Sequence, residues 1–168
     1  MAISATLEAP VDSPLCSIQR TLDIVGERWT FLILREALIE GETKFAGFEK
    51  MLGIAPNILS DRLNTLVAAG IMEKSTYKED GARARSSYHP TPMGMQLKLV
   101  LAAMQQWGDD YVPPSVGVTQ LRVAADSKSP VRLAFVDADN KPRALEDVAW
   151  VNTPTYPAEA RAARRAAK

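Results

Sequence analysis

Ile54-Ala55-Pro56-Asn57-Ile58-Leu59-Ser60-Asp61-Arg62-Leu63-Asn64-Thr65-Leu66-Val67-Ala68-Ala69-Gly70 is the stretch whose reading decides the fold. Proline disfavours the helical region for Ala55 before it and suits the first position of a helix itself, so a tight connection at 54–57 opens a helix over 56–69. Leu59, Leu63, Leu66 and Val67 recur at the helical period and define one buried face, and Gly70 supplies the stop. The opposite face carries Asn57, Asp61, Asn64, Thr65 and Ala68, flanked by Ser60 and Arg62. Just upstream, Phe45, Phe48 and Leu52 make a shorter helix that ends at Gly53. A short helix, a turn and a second helix of this kind read as a helix-turn-helix.

Downstream, the β-formers of 71–77 can pair with 86–89 across a basic loop, 78–85, in which Asp80-Gly81 is a turn signal. Two such strands directly after a helix-turn-helix form a wing. Thr91-Pro92 then caps and opens one long helix through about 111, stopped by Pro113-Pro114. Leu97, Val100, Leu101, Met104, Trp107 and Tyr111 form a broad apolar stripe along it.

Upstream, Ser13-Pro14 opens a helix over 14–25 bearing Ile18, Leu22 and Val25, with Gly26 as its stop. A second helix over 27–39 is apolar around most of its circumference through Trp29, Leu32, Ile33, Leu34 and Leu38, and so belongs at the centre of the fold. Residues 43–45 are extended or loop-like. Trp29 and Trp107 can line a ligand pocket at a subunit boundary, but large aromatics on apolar helix faces are far more often core.

Beyond Pro114 the pattern changes. A strand over 131–136, a turn over 137–142 and a returning strand over 144–151 predict a small β appendage, followed by an alanine-rich run with Arg161, Arg164 and Arg165 that is a helix or a basic tail. The expected fold is therefore mainly α with a small β wing: a winged helix-turn-helix domain plus a C-terminal β appendage. Its expected divisions are a flexible arm over 1–12, a DNA-binding and dimerisation domain over 13–112 and the extension over 113–168.

With 168 residues, 46% of them hydrophobic, the chain can bury a core and need not be disordered. No apolar run approaches the roughly 20 residues of a membrane span. The first fifteen residues hold Glu8 and Asp12 and no Lys or Arg, unlike a secretory signal, so a cytoplasmic address without membrane partners is expected. Twenty basic residues balance twenty acidic ones. That balance leaves no global field to hold nucleic acid, so binding must depend on local patches and dimerisation. One cysteine and one histidine exclude an internal disulfide, a thiolate cluster for zinc and a two-histidine mechanism. His89, beside Pro90, ends a strand rather than acting as a base. Neither a Ser-His-Asp set nor a phosphate loop is present, so an enzyme is not expected and no cofactor is implied.

The chemistry that remains is DNA recognition. Asn57 and Asn64 can pair bidentately with adenine, Ser60 and Thr65 can serve a phosphate or base edge, and Arg62 can reach guanine or phosphate. Asp61 repels phosphates unless it accepts from a cytosine amino group. In the wing, Lys78, Arg83 and Arg85 lie beside Glu79 and Asp80, giving a slight positive balance suited to a phosphate or minor-groove contact. Cys16, in the first turn of the first helix, has the environment that favours a thiolate, the basis of a redox or electrophile sensor; the competing reading is a small buried hydrophobe.

Several spaced blocks agree in order with a known family. Cys16-Ser17-Ile18, Leu22-Asp23-Ile24-Val25-Gly26-Glu27-Arg28-Trp29-Thr30 and Ile33-Leu34-Arg35-Glu36 resemble the opening signature of the HxlR family of bacterial winged-helix transcription regulators. Phe45-Ala46-Gly47-Phe48, the block from Ile54 to Leu63, Leu66, Gly70-Ile71 and Tyr77 are similar to its recognition-helix block, and Tyr88 with Thr91-Pro92-Met93-Gly94 to its wing exit. The chain departs from the family pattern at Ser17, Asp61 and Ser86-Ser87. The resemblance implies a homodimer in which the terminal helices pack together, so the stripe Leu97, Val100, Leu101, Met104, Trp107 and Tyr111 is the expected dimer interface; it also implies a double-stranded DNA operator read by paired recognition helices, and in some members an oxidant or small-molecule effector acting at the cysteine matching Cys16. Two rival classes stand beside it. One is a winged-helix protein-interaction module, motivated by the neutral charge and Asp61; the other is a small enzyme using Cys16, for which no histidine lies near in sequence.

Overall fold

The computed structural model describes residues 15–157 apart from 79, 80 and 82, so the predicted arm, the Ser13-Pro14 cap and the basic run over 158–168 lie outside the described residues. The chain forms two compact units, Met1–Gly117 and Val118–Lys168.

In the first unit, α1 (Ser17–Val25) and α2 (Arg28–Arg35) precede a π-helical turn, Glu36–Glu40, that closes on Gly41 in the left-handed conformation. Glu36, buried in that turn, is paired with the Arg35 guanidinium. The helix-turn-helix follows as α3 (Phe45–Leu52) and α4 (Pro56–Ala68). Leu59, Leu63 and Leu66 of α4 are completely buried, against a core that includes Ile33 and Leu34 of α2 and Phe48 of α3. Burying leucines of this size contributes about 1.5–3 kcal/mol each, so α4 is held chiefly by its inner face. Its end is a Schellman motif: the Gly70 amide donates to the Val67 carbonyl and the Ile71 amide to the Leu66 carbonyl, with Gly70 left-handed at φ 65°.

The wing comprises β1 (Met72–Tyr77) and β2 (Arg85–Pro90), antiparallel in the register Met72↔Pro90 to Tyr77↔Arg85. The segment expected to be extended at 43–45 adds a third strand-like edge, for Lys44 bridges to Ser87 and the Tyr88 amide donates to the Thr43 carbonyl at 2.8 Å.

Two expectations in this unit are corrected. The first helix begins at Ser17, and Cys16 is its N-cap in extended conformation rather than a first-turn residue. The single long helix after the wing is broken into α5 (Pro92–Met95) and α6 (Lys98–Tyr111). Between them the amides of Gln96, Leu97 and Leu99 donate to the carbonyls of Met93, Gly94 and Gln96, three residues back, so the chain tightens into a narrower turn before resuming.

The second unit is built around a hairpin of β3 (Phe135–Val136) and β4 (Pro142–Arg143). Asp137 organises its turn: one carboxylate oxygen accepts from the Lys141 and Asp139 amides and the other from the Arg143 guanidinium. The Lys141 amide above all, with Arg143 and the Asp139 amide adding, holds the Asp137 carboxyl below its ordinary range. The predicted strands are corrected here too. Only the last two residues of 131–136 pair, and the return strand lies at 142–143, because the Asp137 amide donates to the Lys141 carbonyl and closes the turn early. The expected return segment instead enters a short 3₁₀ turn, Leu145–Asp147. Trp150 packs edge-on to Phe135, centroids 6.3 Å apart.

Candidate nucleic-acid interface

Helix α4 has two chemically opposed sides because its apolar residues keep one phase of the helical period. On the side away from Leu59, Leu63 and Leu66, Asn57, Asp61, Asn64 and Thr65 are exposed, and Ser60 and Arg62 are half-buried. Ile58 and Val67 pack against the core at the rim of this polar strip. The Thr65 hydroxyl donates to the Asp61 carbonyl at 3.0 Å, so its oxygen retains the capacity to accept. Arg62 differs from the others in that its Nε is buried and makes no hydrogen bond, so part of this side chain belongs to the packing of the domain. The exposed Asn57 and Asn64 are spaced two helical turns, roughly 10 Å, apart along α4, a span of about three base-pair steps.

In the wing, Lys78 and Arg83 are exposed in the loop and Gly81, at φ 74°, makes its turn. Arg85 is exposed opposite Tyr77 at the last strand pair before the loop. The helix-turn-helix and wing thus supply two polar surfaces on one domain. Sequence reasoning missed Lys44, which caps α3, bridges to Ser87 and places its Nζ 4.9 Å from the centre of the Tyr77 ring. An isolated bridge has no repeating pattern that could have announced it. His89 lies within β2, its Nε2 3.0 Å from the Ser87 hydroxyl.

The apolar stripe of the last helices divides. Val100, Met104, Trp107 and Tyr111 are exposed along α6, and the Trp107 and Tyr111 rings meet at a tilt of 38° with centroids 5.6 Å apart. Leu101 is instead 8% exposed, inside the core of its own chain, and Leu97 packs against the same core. Ile18 and Leu22 of α1 are also exposed. Cys16 is half-buried at the start of α1. No helix among the described residues is long and apolar enough to cross a membrane.

The model of the HxlR-like helix-turn-helix family matches residues 24–116, which contain the whole of α2 to α6 and the wing. The chain belongs to the HxlR-like helix-turn-helix family. Among relatives of this HxlR-like protein, the HTH-type transcriptional regulator Rv3095 of Mycobacterium tuberculosis is 41% identical over 101 residues, covering 60% of this chain and 62% of the relative. The match thus spans about three fifths of the length of that curated relative. PA1607, a transcription factor candidate of known structure, is 36% identical with a TM-score of 0.72, covering 83% of this chain and 96% of its own. That share exceeds what residues 1–117 make up, so the likeness extends into the second unit. The redox regulator HypR in its oxidised form is 25% identical with a TM-score of 0.52, covering 59% of this chain and all of its own. Regulators, not enzymes, thus make up this family: Rv3095 is named an HTH-type transcriptional regulator and HypR a redox regulator.

Proposed function

We propose that this HxlR-like protein is a homodimeric transcriptional regulator acting in the cytoplasm, reading an inverted-repeat operator as repressor or activator. The observation that carries the reading is the two-sided α4, whose buried leucines fix the helix while Asn57, Ser60, Asp61, Asn64 and Thr65 are left on the side away from the core. Half-sites about one helical turn apart, roughly 34 Å, follow from a two-fold pair of recognition helices. Lys78, Arg83 and Arg85 of the wing contact phosphates or the adjacent minor groove. Val100, Met104, Trp107 and Tyr111, with the exposed side of α1, form the subunit contact.

The regulated step acts through Cys16. This half-buried residue stands at the N-cap of α1, where the positive helix end favours a thiolate, and the likeness to redox regulator HypR supports oxidant sensing there.

Sequencing the DNA that the purified protein selects from a random pool tests the reading. Enrichment of an inverted repeat, with affinity falling steeply as salt rises, is expected. Absence of any enriched sequence and of a DNA complex at moderate salt favours the protein-interaction module instead. Mild peroxide is expected to change operator binding by the wild type and not by Cys16→Ser; identical responses remove Cys16 as the sensor.

A further inference from the structure

A groove of about 350 Å³ opens between the start of α3 and the outer end of the wing, lined by Phe45, Ala46, Tyr77, Arg85, Ser86 and Tyr88. Three of these six are aromatic, and none is acidic. Phe45 and Tyr77 are half-buried and Tyr88 is 4% exposed, so the rings are set by the fold rather than waving from a surface. Cationic groups border it: Arg85 lines the groove, and the Lys44 ammonium lies over Tyr77. The neighbouring carboxylate, Glu42, accepts from the Thr43 and Lys44 amides at 2.7 Å each, both through Oε1, at the entry to α3.

This combination selects among ligands. Aromatic walls contribute through stacking on a planar ring, which a bare phosphate does not offer. A guanidinium recognises a carboxylate, which Arg holds through paired, charge-assisted hydrogen bonds. The volume is at the small end of ligand sites and suits a molecule of one or two rings. We propose that this groove is an effector site for a small aromatic carboxylate, its ring against Tyr77 and Phe45 and its carboxylate on Arg85, which stands opposite Tyr77 on the same face of the wing.

Such a ligand is placed to act on DNA binding. Tyr77↔Arg85 is the last strand pair before the loop carrying Lys78 and Arg83, and Phe45 begins the first helix of the helix-turn-helix. Occupancy links the wing to α3 and engages Arg85, so the ligand-bound wing is less suited to the duplex. A ligand shifts binding only through such a difference in affinity between two states. This regulatory consequence rests on the DNA-binding reading above, whereas the ligand site itself does not.

The test is a titration of the ¹⁵N-labelled full chain with sodium benzoate, with benzamide and sodium acetate as controls at constant ionic strength. Expected are saturable shifts at 44–46, 77 and 85–88 with benzoate, and binding at least about tenfold weaker for both controls, the size expected when benzamide loses the charge-assisted hydrogen bond and acetate loses the burial and stacking of the ring. Arg85→Gln and Tyr77→Ala should each weaken benzoate by a similar factor without disturbing the remaining resonances, and Tyr77→Phe should retain it. No saturable response, shifts elsewhere, or affinity unchanged in both Arg85→Gln and Tyr77→Ala overturns the site. Loss of DNA affinity in Tyr77→Ala without any benzoate response also overturns it, assigning the groove to the DNA backbone. Benzoate binding that leaves operator affinity unchanged overturns the regulatory half alone. Benzoate binding by a chain that selects no DNA sequence keeps the site and removes the regulator reading.

Discussion

Gly94 lies flat against the backbone of Ile71: a Cβ built on it would be 2.1 Å from the Ile71 carbonyl oxygen. That same carbonyl accepts from the Thr91 amide at 3.0 Å, while the Thr91 hydroxyl donates to the Gly70 carbonyl and accepts from the Gly94 amide. The end of α4, the start of β1 and the wing exit are thereby tied into one knot of hydrogen bonds centred on Thr91. Thr91-Pro92-Met93-Gly94 can thus be explained residue by residue: a cap, a helix opener and a glycine at a close approach.

Gly94→Ala should destabilise the domain by about 1–3 kcal/mol, since the clashing partner is backbone and cannot rotate away. In thermal unfolding this appears as a midpoint lower by roughly 5–15 °C. An unchanged midpoint would mean that the approach is looser than described.

The split of the α6 stripe separates folding from assembly. Met104→Asp should give folded monomers in light scattering with wild-type circular dichroism, because Met104 is exposed in the single chain. Leu101→Asp should lose folded signal instead, as a charge placed among core residues costs several kcal/mol. Dimers persisting in Met104→Asp would move the interface elsewhere.

The wing is expected to act on backbone phosphates. Lys78→Ala and Arg83→Ala should each weaken all DNA sequences about equally and reduce the slope of log affinity against log salt by about 1. A sequence-selective loss in either variant would instead place that side chain on a base edge.

The helices legible in the sequence were those with a single apolar phase, α4 foremost, where Leu59, Leu63 and Leu66 could hardly face anything but a core. The break before α6 was not legible. Met95, Gln96 and Leu97 are all good helix formers, and the interruption sits beside a long-range contact, Gly94 against Ile71, that local propensity does not contain. The second-unit hairpin was displaced for a related reason: β-formers mark 144–151, but the Asp137 side chain fixes the turn and brings Pro142 opposite Val136. Within the candidate site, the polar side of α4 was readable from spacing alone. The assignment of Leu101 to the core rather than the subunit contact was not, since Val100 and Leu101 are both apolar and about 100° apart on the helix. Cys16 moved from first turn to N-cap because the first described turn of α1 begins only at Ser17.

The most direct measurement is the affinity of Asn64→Ala for the selected operator and for random DNA, by fluorescence anisotropy at one fixed salt concentration. Loss of a bidentate base contact should weaken the operator complex roughly 5- to 150-fold and leave random DNA unaffected. Equal loss on both, or no loss on either, would contradict base reading by the exposed side of α4.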